Sequence, residues 1–171
     1  MLREVERLEA IVRQFLSRAE PVRVQARDVA VRDWLAERMG MFSERCQAKA
    51  IELDWDAAVE HWRFDPVALA RALDNLLNNA LDHTPHGGAI SVCAERGPDA
   101  QVLILRVCDT GPGVAEQVKP RLFEPFVSGR TDGMGLGLAL AQEIALAHGG
   151  TARYVEQTRG ACFELELPCA S

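Results

Sequence analysis

Seven consecutive residues, Val102 to Cys108, are apolar at every position but Arg106, and they end directly on Asp109-Thr110-Gly111-Pro112-Gly113. A run of that length and polarity is a central strand, flanked by other strands and covered by another layer. Its neighbours are legible nearby. Ala89 to Glu95 alternates like a half-buried strand, and the turn signal Gly97-Pro98-Asp99 joins the two as a hairpin. Cys162 to Leu167 alternates as well, Phe163, Leu165 and Leu167 against Glu164 and Glu166, which predicts one packed and one wet face. Shorter runs at Ile51 to Trp55, Glu60 to Phe64 and Thr151 to Glu156 read as further strands.

Helices supply the second layer. Val29 to about Lys49 is amphipathic, with Val31, Trp34, Leu35, Met39 and Phe42 on one side. Asp65-Pro66 starts another helix, a carboxylate capping free amides and a proline with a preset φ, and it runs to about Thr84. Ala70, Leu73, Leu77 and Leu81 share its apolar face, while Asn75, Asn79 and His83 recur every four residues on the other. A third helix spans about Leu138 to His148, closed by Gly149-Gly150. Before them, Met1, Val5, Leu8, Val12 and Phe15 alternate by four and three, the seam of a helix that pairs with another helix.

With 171 residues, 48% of them hydrophobic, the chain is one compact domain with a short appendage. A formal charge of -6 disfavours nucleic acid or anionic lipid as a partner. No stretch approaches a membrane span, and Met1 is followed by Leu-Arg-Glu-Val-Glu-Arg, the opposite of a signal peptide, so a cytoplasmic location is expected. Cys46, Cys93, Cys108, Cys162 and Cys169 show no metal-ligand spacing and read as reduced core residues.

Three features carry chemistry. Asn75 and Asn79, one turn apart on an otherwise apolar helix, serve either a solvated face or a ligand. Asp109 with glycines after it is either a plain turn or a site where backbone closes on a planar ligand and the carboxylate accepts from an exocyclic amine. Gly133-Met134-Gly135-Leu136-Gly137-Leu138 opens a helix with exposed amides, for which a phosphate is the usual guest. No Gly-Lys-Ser/Thr follows, and the spacing is wrong for a dinucleotide fingerprint, so the two commonest phosphate-binding folds are excluded.

In this order the segments resemble the ATP-binding domain of the GHKL superfamily, and within it the sensor histidine kinases of two-component systems. Asn75-Leu76-Leu77-Asn78-Asn79-Ala80-Leu81-Asp82-His83-Thr84 looks like the N box, Asp109 to Gly113 the G1 box, Leu122 to Phe126 the F box and Gly133 to Leu138 the G2 box. The resemblance spans about residues 21 to 168. It implies a two-layer α/β sandwich, a mixed sheet covered by three helices on one face, with residues 1–20 the end of a dimerisation and phosphotransfer helix and 21–171 the catalytic domain.

By the same resemblance Asn79 holds Mg2+ on the ATP phosphates, with Asn75 and His83 beside it. Asp109 reads the adenine amino group, Gly111 and Gly113 admit the base, and the amides of Gly133, Met134, Gly135, Leu136, Gly137 and Leu138 hold phosphate. Arg130 reaches the terminal phosphates from a lid at about Val127 to Asp132. Phe123 contacts the nucleotide region, and Phe126 is a core aromatic anchoring the lid.

Two positions depart from the family pattern. Asp82 stands where many members carry a cation, and Ala161 or Cys162 where a hydroxyl often helps hold adenine. Hydrolytic members of the superfamily carry a Glu at the position of Asn75; an amide is no general base, so phosphotransfer is favoured over hydrolysis. None of His61, His83, His86 or His148 lies in a phosphoacceptor motif. The accepting histidine is therefore expected upstream or on another protein, with a response regulator as partner and a homodimer formed through the first helix. The alternatives are a serine kinase of the anti-sigma type and a degenerate docking module.

Overall fold

The computed structural model describes residues 22–98, 100–127 and 135–169. Asp99 and the expected helix over residues 1–20 lie outside the described residues. The elements run β1 (Arg27–Ala30), α1 (Val31–Ala48), β2 (Glu52–Ala57), β3 (His61–Phe64), α2 (Pro66–His83), β4 (Ala89–Arg96), β5 (Val102–Asp109), α3 (Gly137–Ala147), β6 (Thr151–Val155) and β7 (Cys162–Pro168).

Five strands form one mixed sheet in the order β2-β4-β5-β7-β6, in which β2 and β4 are parallel and the other pairs antiparallel. The apolar run is indeed central, with β4 on one side and β7 on the other. Leu103, Leu105 and Val107 of β5, Ile90 and Val92 of β4, and Phe163, Leu165 and Leu167 of β7 point to one face, where they are buried against the three helices. Two layers therefore share a single core.

Helix α2 is the spine of the site, and its start is fixed as its sequence requires. Asp65 Oδ1 accepts from the backbone N–H of Val67 and of Ala68 at 3.0 Å each, Oδ2 accepts from Gln25 N–H at 2.8 Å, and Pro66 follows in the first turn. Leu69, Leu73, Leu76 and Leu77 are fully buried along one stripe, and Ala70 is only half-buried at its edge. Full burial of each such leucine contributes about 1.5–3 kcal/mol. The stripe thus fixes the rotation of α2 and which residues its opposite face presents.

Three expectations need correction. The helix read from Val29 begins at Val31, because Arg27–Ala30 pairs antiparallel with β3, Val29 opposite Trp62, in a small two-stranded sheet. A strand of four residues paired far along the chain leaves no local signal. The second correction concerns the outer face of β7, where Glu164 is 1% exposed. Arg106 of β5 and Arg153 of β6 close over it, and Arg106 also pairs with Glu95 of β4. Cross-strand ion pairs, not water, satisfy that carboxylate.

The third correction is to the cysteines. Strand alternation turns Cys93, Cys108 and Cys162 away from the helices, and Cys108 and Cys162, directly opposite on β5 and β7, are joined by a disulfide. Cys46 is buried, Cys93 half-buried and Cys169 exposed. Only Cys46 is a free cysteine of the core.

Candidate functional site

The polar face of α2, the end of β5 and the start of α3 enclose a cavity of about 520 Å³. Asn75, Asn78, Asn79, Asp82 and His83 form its helical wall. Asp109 comes from the end of the central strand and Pro112, Gly113 and Val114 from the turn after it, Gly135 to Leu138 from the approach to α3 and its first residues, Ala161 from just before β7 and Phe163 from β7 itself. Asn75, Asn79 and His83 therefore line one cavity.

Asp109 is the buried charge of the site, 4% exposed. Its Oδ1 accepts from Gly111 N–H at 2.8 Å and Ala161 N–H at 3.3 Å, and its Oδ2 has no hydrogen-bond partner among the described residues. Burial pushes the carboxyl above the ordinary carboxylate range, opposed by those two N–H groups and by His83. One oxygen is thus fixed by the fold while the other is left as an acceptor at the cavity wall.

Backbone packing is tight around it. A Cβ on Gly111 would meet the carbonyl oxygen of His83 at 2.7 Å, so only glycine lets the turn after β5 close on the end of α2. Gly160 has φ +78° and lies against the Asp109 carbonyl. No motif in the sequence singles out Gly160; a lone glycine before a strand is a weak signal. Gln157 Nε2 donates to the same Asp109 carbonyl at 3.1 Å.

On α2, Asn75 Nδ2 donates to Arg71 O at 2.7 Å, and a Cβ on Gly137 would lie 3.1 Å from Asn75 Oδ1. The start of α3 thus abuts α2 at Asn75. His83 Nδ1 lies 2.8 Å from the Asn79 carbonyl oxygen, a partner that can only accept, so Nδ1 is the donor of that contact. The Asn79 side-chain amide itself has no hydrogen-bond partner among the described residues. Asn78 instead accepts from Arg45 at 2.8 Å.

Some expected residues stand elsewhere. Arg130, Gly133 and Met134 lie outside the described residues. Gly111 sits behind the wall, not on it. Phe123 is also off the wall: its ring packs edge-on against Phe163, centroids 6.3 Å apart, so it backs the cavity through that residue. Phe126 is 61% exposed with φ 66°, which corrects its expected place in the core. Its N–H donates to Gly135 O at 3.0 Å. Val114, Val118 and Leu122, which line the apolar end, went unrecognised because the Gly- and Pro-rich stretch from Asp109 to Gly137 masks their spacing.

A helix N-terminus, a buried carboxylate and a helical asparagine pair around one cavity, between a mixed sheet and its helices, define an ATPase domain of the GHKL type. The chain belongs to the histidine kinase-, DNA gyrase B- and HSP90-like ATPase family, whose sequence profile matches residues 64–171. It is 32% identical over 172 residues to the sensor histidine kinase ZraS of Salmonella typhimurium, covering 98% of this chain and 37% of that protein. The chain thus spans little more than a third of the curated relative.

Among solved structures, the catalytic domain of the histidine kinase ThkA superposes with a TM-score of 0.77 at 25% identity, over 85% of this chain and 96% of that one. Full-length ShkA in complex with AMPPNP gives 0.85 at 28% identity, over 99% of this chain and 37% of that one. ThkA bound to its response regulator TrrA gives 0.83 at 23% identity, over 99% of this chain and 49% of that one, a likeness of fold. The domain is a catalytic ATPase domain of the sensor histidine kinase type. Among the described residues, no helix is long and apolar enough to cross a membrane.

Proposed function

We propose that this domain binds ATP with Mg2+ and delivers the γ-phosphate to a histidine on a separate helical domain, for onward transfer to a response regulator. The observation that carries this reading is the convergence on one cavity of Asn79, Asp109 and the start of α3. The residues present fit the ligand. Asp109 Oδ2 is an acceptor at the wall, suited to the adenine amino group. Beyond it Gly113, at φ +78°, lies so close to Gly160 that a Cβ there would stand 3.0 Å from its carbonyl oxygen, and the first amides of α3 have no partner within their own helix and suit phosphate oxygens. Asn79 offers an amide oxygen to Mg2+, whose remaining ligands would be phosphate and water.

Mg2+, when bound, supplies charge neutralisation on the phosphates. The protein's part is positioning. The apolar end of the cavity, Val114, Val118, Leu122 and Phe163, excludes water from the base, while Asp109 fixes its orientation. Asn75 carries an amide where hydrolytic relatives have a Glu, and that amide is occupied with Arg71 O, so no carboxylate there activates water. Arg130 would meet the terminal phosphates. The seam spacing of residues 1–20 supports reading them as the end of a phosphotransfer-type helix.

Calorimetric titration with a non-hydrolysable ATP analogue tests this. Binding in the micromolar range that depends on Mg2+, with the Mg2+ dependence lost in Asn79→Ala and the adenine preference lost in Asp109→Asn, is the expected result. Equal affinity of both variants and the wild type would overturn the site assignment. Mixing the loaded domain with a histidine-bearing helical domain and γ-labelled ATP should then give acid-labile phosphate.

A further inference from the structure

The disulfide lies against the cavity. Cys108 immediately precedes Asp109 on β5, and Cys162 immediately follows Ala161 at the start of β7. Asp109 and Ala161, themselves on the cavity wall, are joined by Asp109 N–H to Ala161 O at 2.8 Å and by Ala161 N–H to Asp109 Oδ1 at 3.3 Å. That hydrogen-bonded pair leaves the adjacent pair, Cys108 opposite Cys162, without hydrogen bonds between their own backbones, the position where antiparallel side chains stand closest. Their Cα atoms are 4.0 Å apart.

The first residue of β7, Cys162, is paired on both sides, opposite Cys108 of β5 and Val155 of β6, whereas the link before it is held to the site by few contacts. Residues 156–161 form a turn-rich link between β6 and β7, with Gly160 at φ +78°. The backbone contacts of Asp109 with Ala161 and Gly160, and the Gln157 side chain, hold that link to the end of β5.

We propose that Cys108 and Cys162 form a redox-modification site that sets the nucleotide affinity of the neighbouring cavity, an inference that rests on the ATP reading above. Oxidised, the bond clamps the link to β5 and holds the Ala161 amide on Asp109, so the carboxylate meets the base already oriented. Reduced, the clamp is released and the link pays the ordering cost on binding.

The oxidant is a low-molecular-weight disulfide. Cys162 is 3% exposed and Cys108 half-buried on the outer face, so the Cys108 thiolate attacks first. It forms a mixed disulfide and releases one small thiolate. The Cys162 thiolate then attacks the Cys108 sulfur, closing the protein disulfide and expelling the second small thiolate. The two cysteines lose two electrons and two protons; the small disulfide gains both and leaves as two thiols. A dithiol reductant runs the exchange in reverse.

The 171-residue chain, titrated with oxidised glutathione against dithiothreitol, supplies the test. Alkylation and mass spectrometry read the bond, and calorimetry with the ATP analogue and Mg2+ reads the site in each state. The expected result is a Cys108–Cys162 bond in the oxidised chain and an affinity at least about fivefold higher than in the reduced one, a typical coupling between sites. Cys108→Ser and Cys162→Ala should each fix the affinity at the reduced value under both conditions, whereas Cys93→Ser should respond like the wild type. Failure of the pair to oxidise, or equal affinity in both states, overturns the proposal while leaving the ATP reading intact. Absence of nucleotide binding in either state overturns the ATP reading itself and the coupling with it, whatever the mass spectrum shows.

Discussion

At the scale of single residues, the site is costly to the fold that holds it. Asp109 is buried with its carboxyl pushed above the ordinary range by loss of solvent, partly offset by the Gly111 and Ala161 amides and by His83. A carboxyl whose folded pKa lies above its unfolded one carries no penalty below the unfolded value, and the penalty builds as pH rises from there through the folded value. Asp109→Asn keeps an oxygen for Gly111 and Ala161 and removes the charge. The empty variant should therefore match or exceed the wild type in thermal stability at neutral pH, and the difference should shrink as pH falls through the folded pKa and vanish below the unfolded one. The same change puts a donor where the base needs an acceptor, so adenine-nucleotide affinity should fall by about tenfold or more, the effect of an unmatched buried polar group. Melting curves across pH, alongside titration calorimetry, check both halves. Gly111→Ala should show the opposite balance: its Cβ meets the His83 carbonyl, rigid backbone, and overpacking of that kind costs about 1–3 kcal/mol, read as a drop in denaturation midpoint.

At the scale of elements, α2 is held from its first turn. Burial alone would raise the Asp65 carboxyl, but the N–H groups of Ala68, Gln25 and Val67, with His148 nearby, outweigh it and leave the group below its ordinary range. Its stabilisation is complete above the unfolded pKa and is lost as pH falls through the lower folded one. Asp65→Ala should cost about 1–2 kcal/mol at neutral pH, the usual worth of such a cap, and the deficit should shrink in acid. This cap was readable from Asp65-Pro66, as were α2, α3 and the β4–β5 hairpin, because each rests on a local signal: a capping pair, a 3.6-residue stripe or a two-residue alternation. The N-box and G1-box segments carry Asn75, Asn79 and Asp109, which the fold brings to the wall of one cavity. What the chain hides is long-range. Arg27–Ala30 becomes a strand only through β3, Glu164 is dry only because arginines from two neighbouring strands cover it, and the disulfide depends on the register of β5 with β7. Phe123 shows the same limit, since its role as a backing for Phe163 follows from packing and not from its motif.

At the scale of the whole molecule, the cavity lies between the layers. Its walls come from α2 and α3 on one side and from β5 and β7 on the other, the same elements whose inner faces form the core. A nucleotide seated there touches both layers, and binding to the folded chain alone must stabilise the whole fold against unfolding through mass action. At a ligand concentration about 100 times Kd the gain is about 2.7 kcal/mol. For a chain of this size each kcal/mol shifts the midpoint by about 2–4 °C, so saturation should raise Tm by roughly 5–10 °C. The formal charge of the chain is -6, and Asp82 and Asp109 both line the cavity, so free ATP meets a field of its own sign. Mg2+ removes much of that repulsion. The Tm shift from ATP in a chelator should therefore be small and grow with added salt, which screens exposed charge, whereas the shift from Mg-ATP should be large and far less sensitive to salt. Asn79→Ala should reduce the Mg-ATP shift to the chelator value without lowering the Tm of the empty domain by more than about 1 kcal/mol equivalent, because its amide makes no hydrogen bond among the described residues. A differential scan of wild type and variant in the two media decides it; an Mg2+-independent shift in the wild type would remove Asn79 from the metal's coordination.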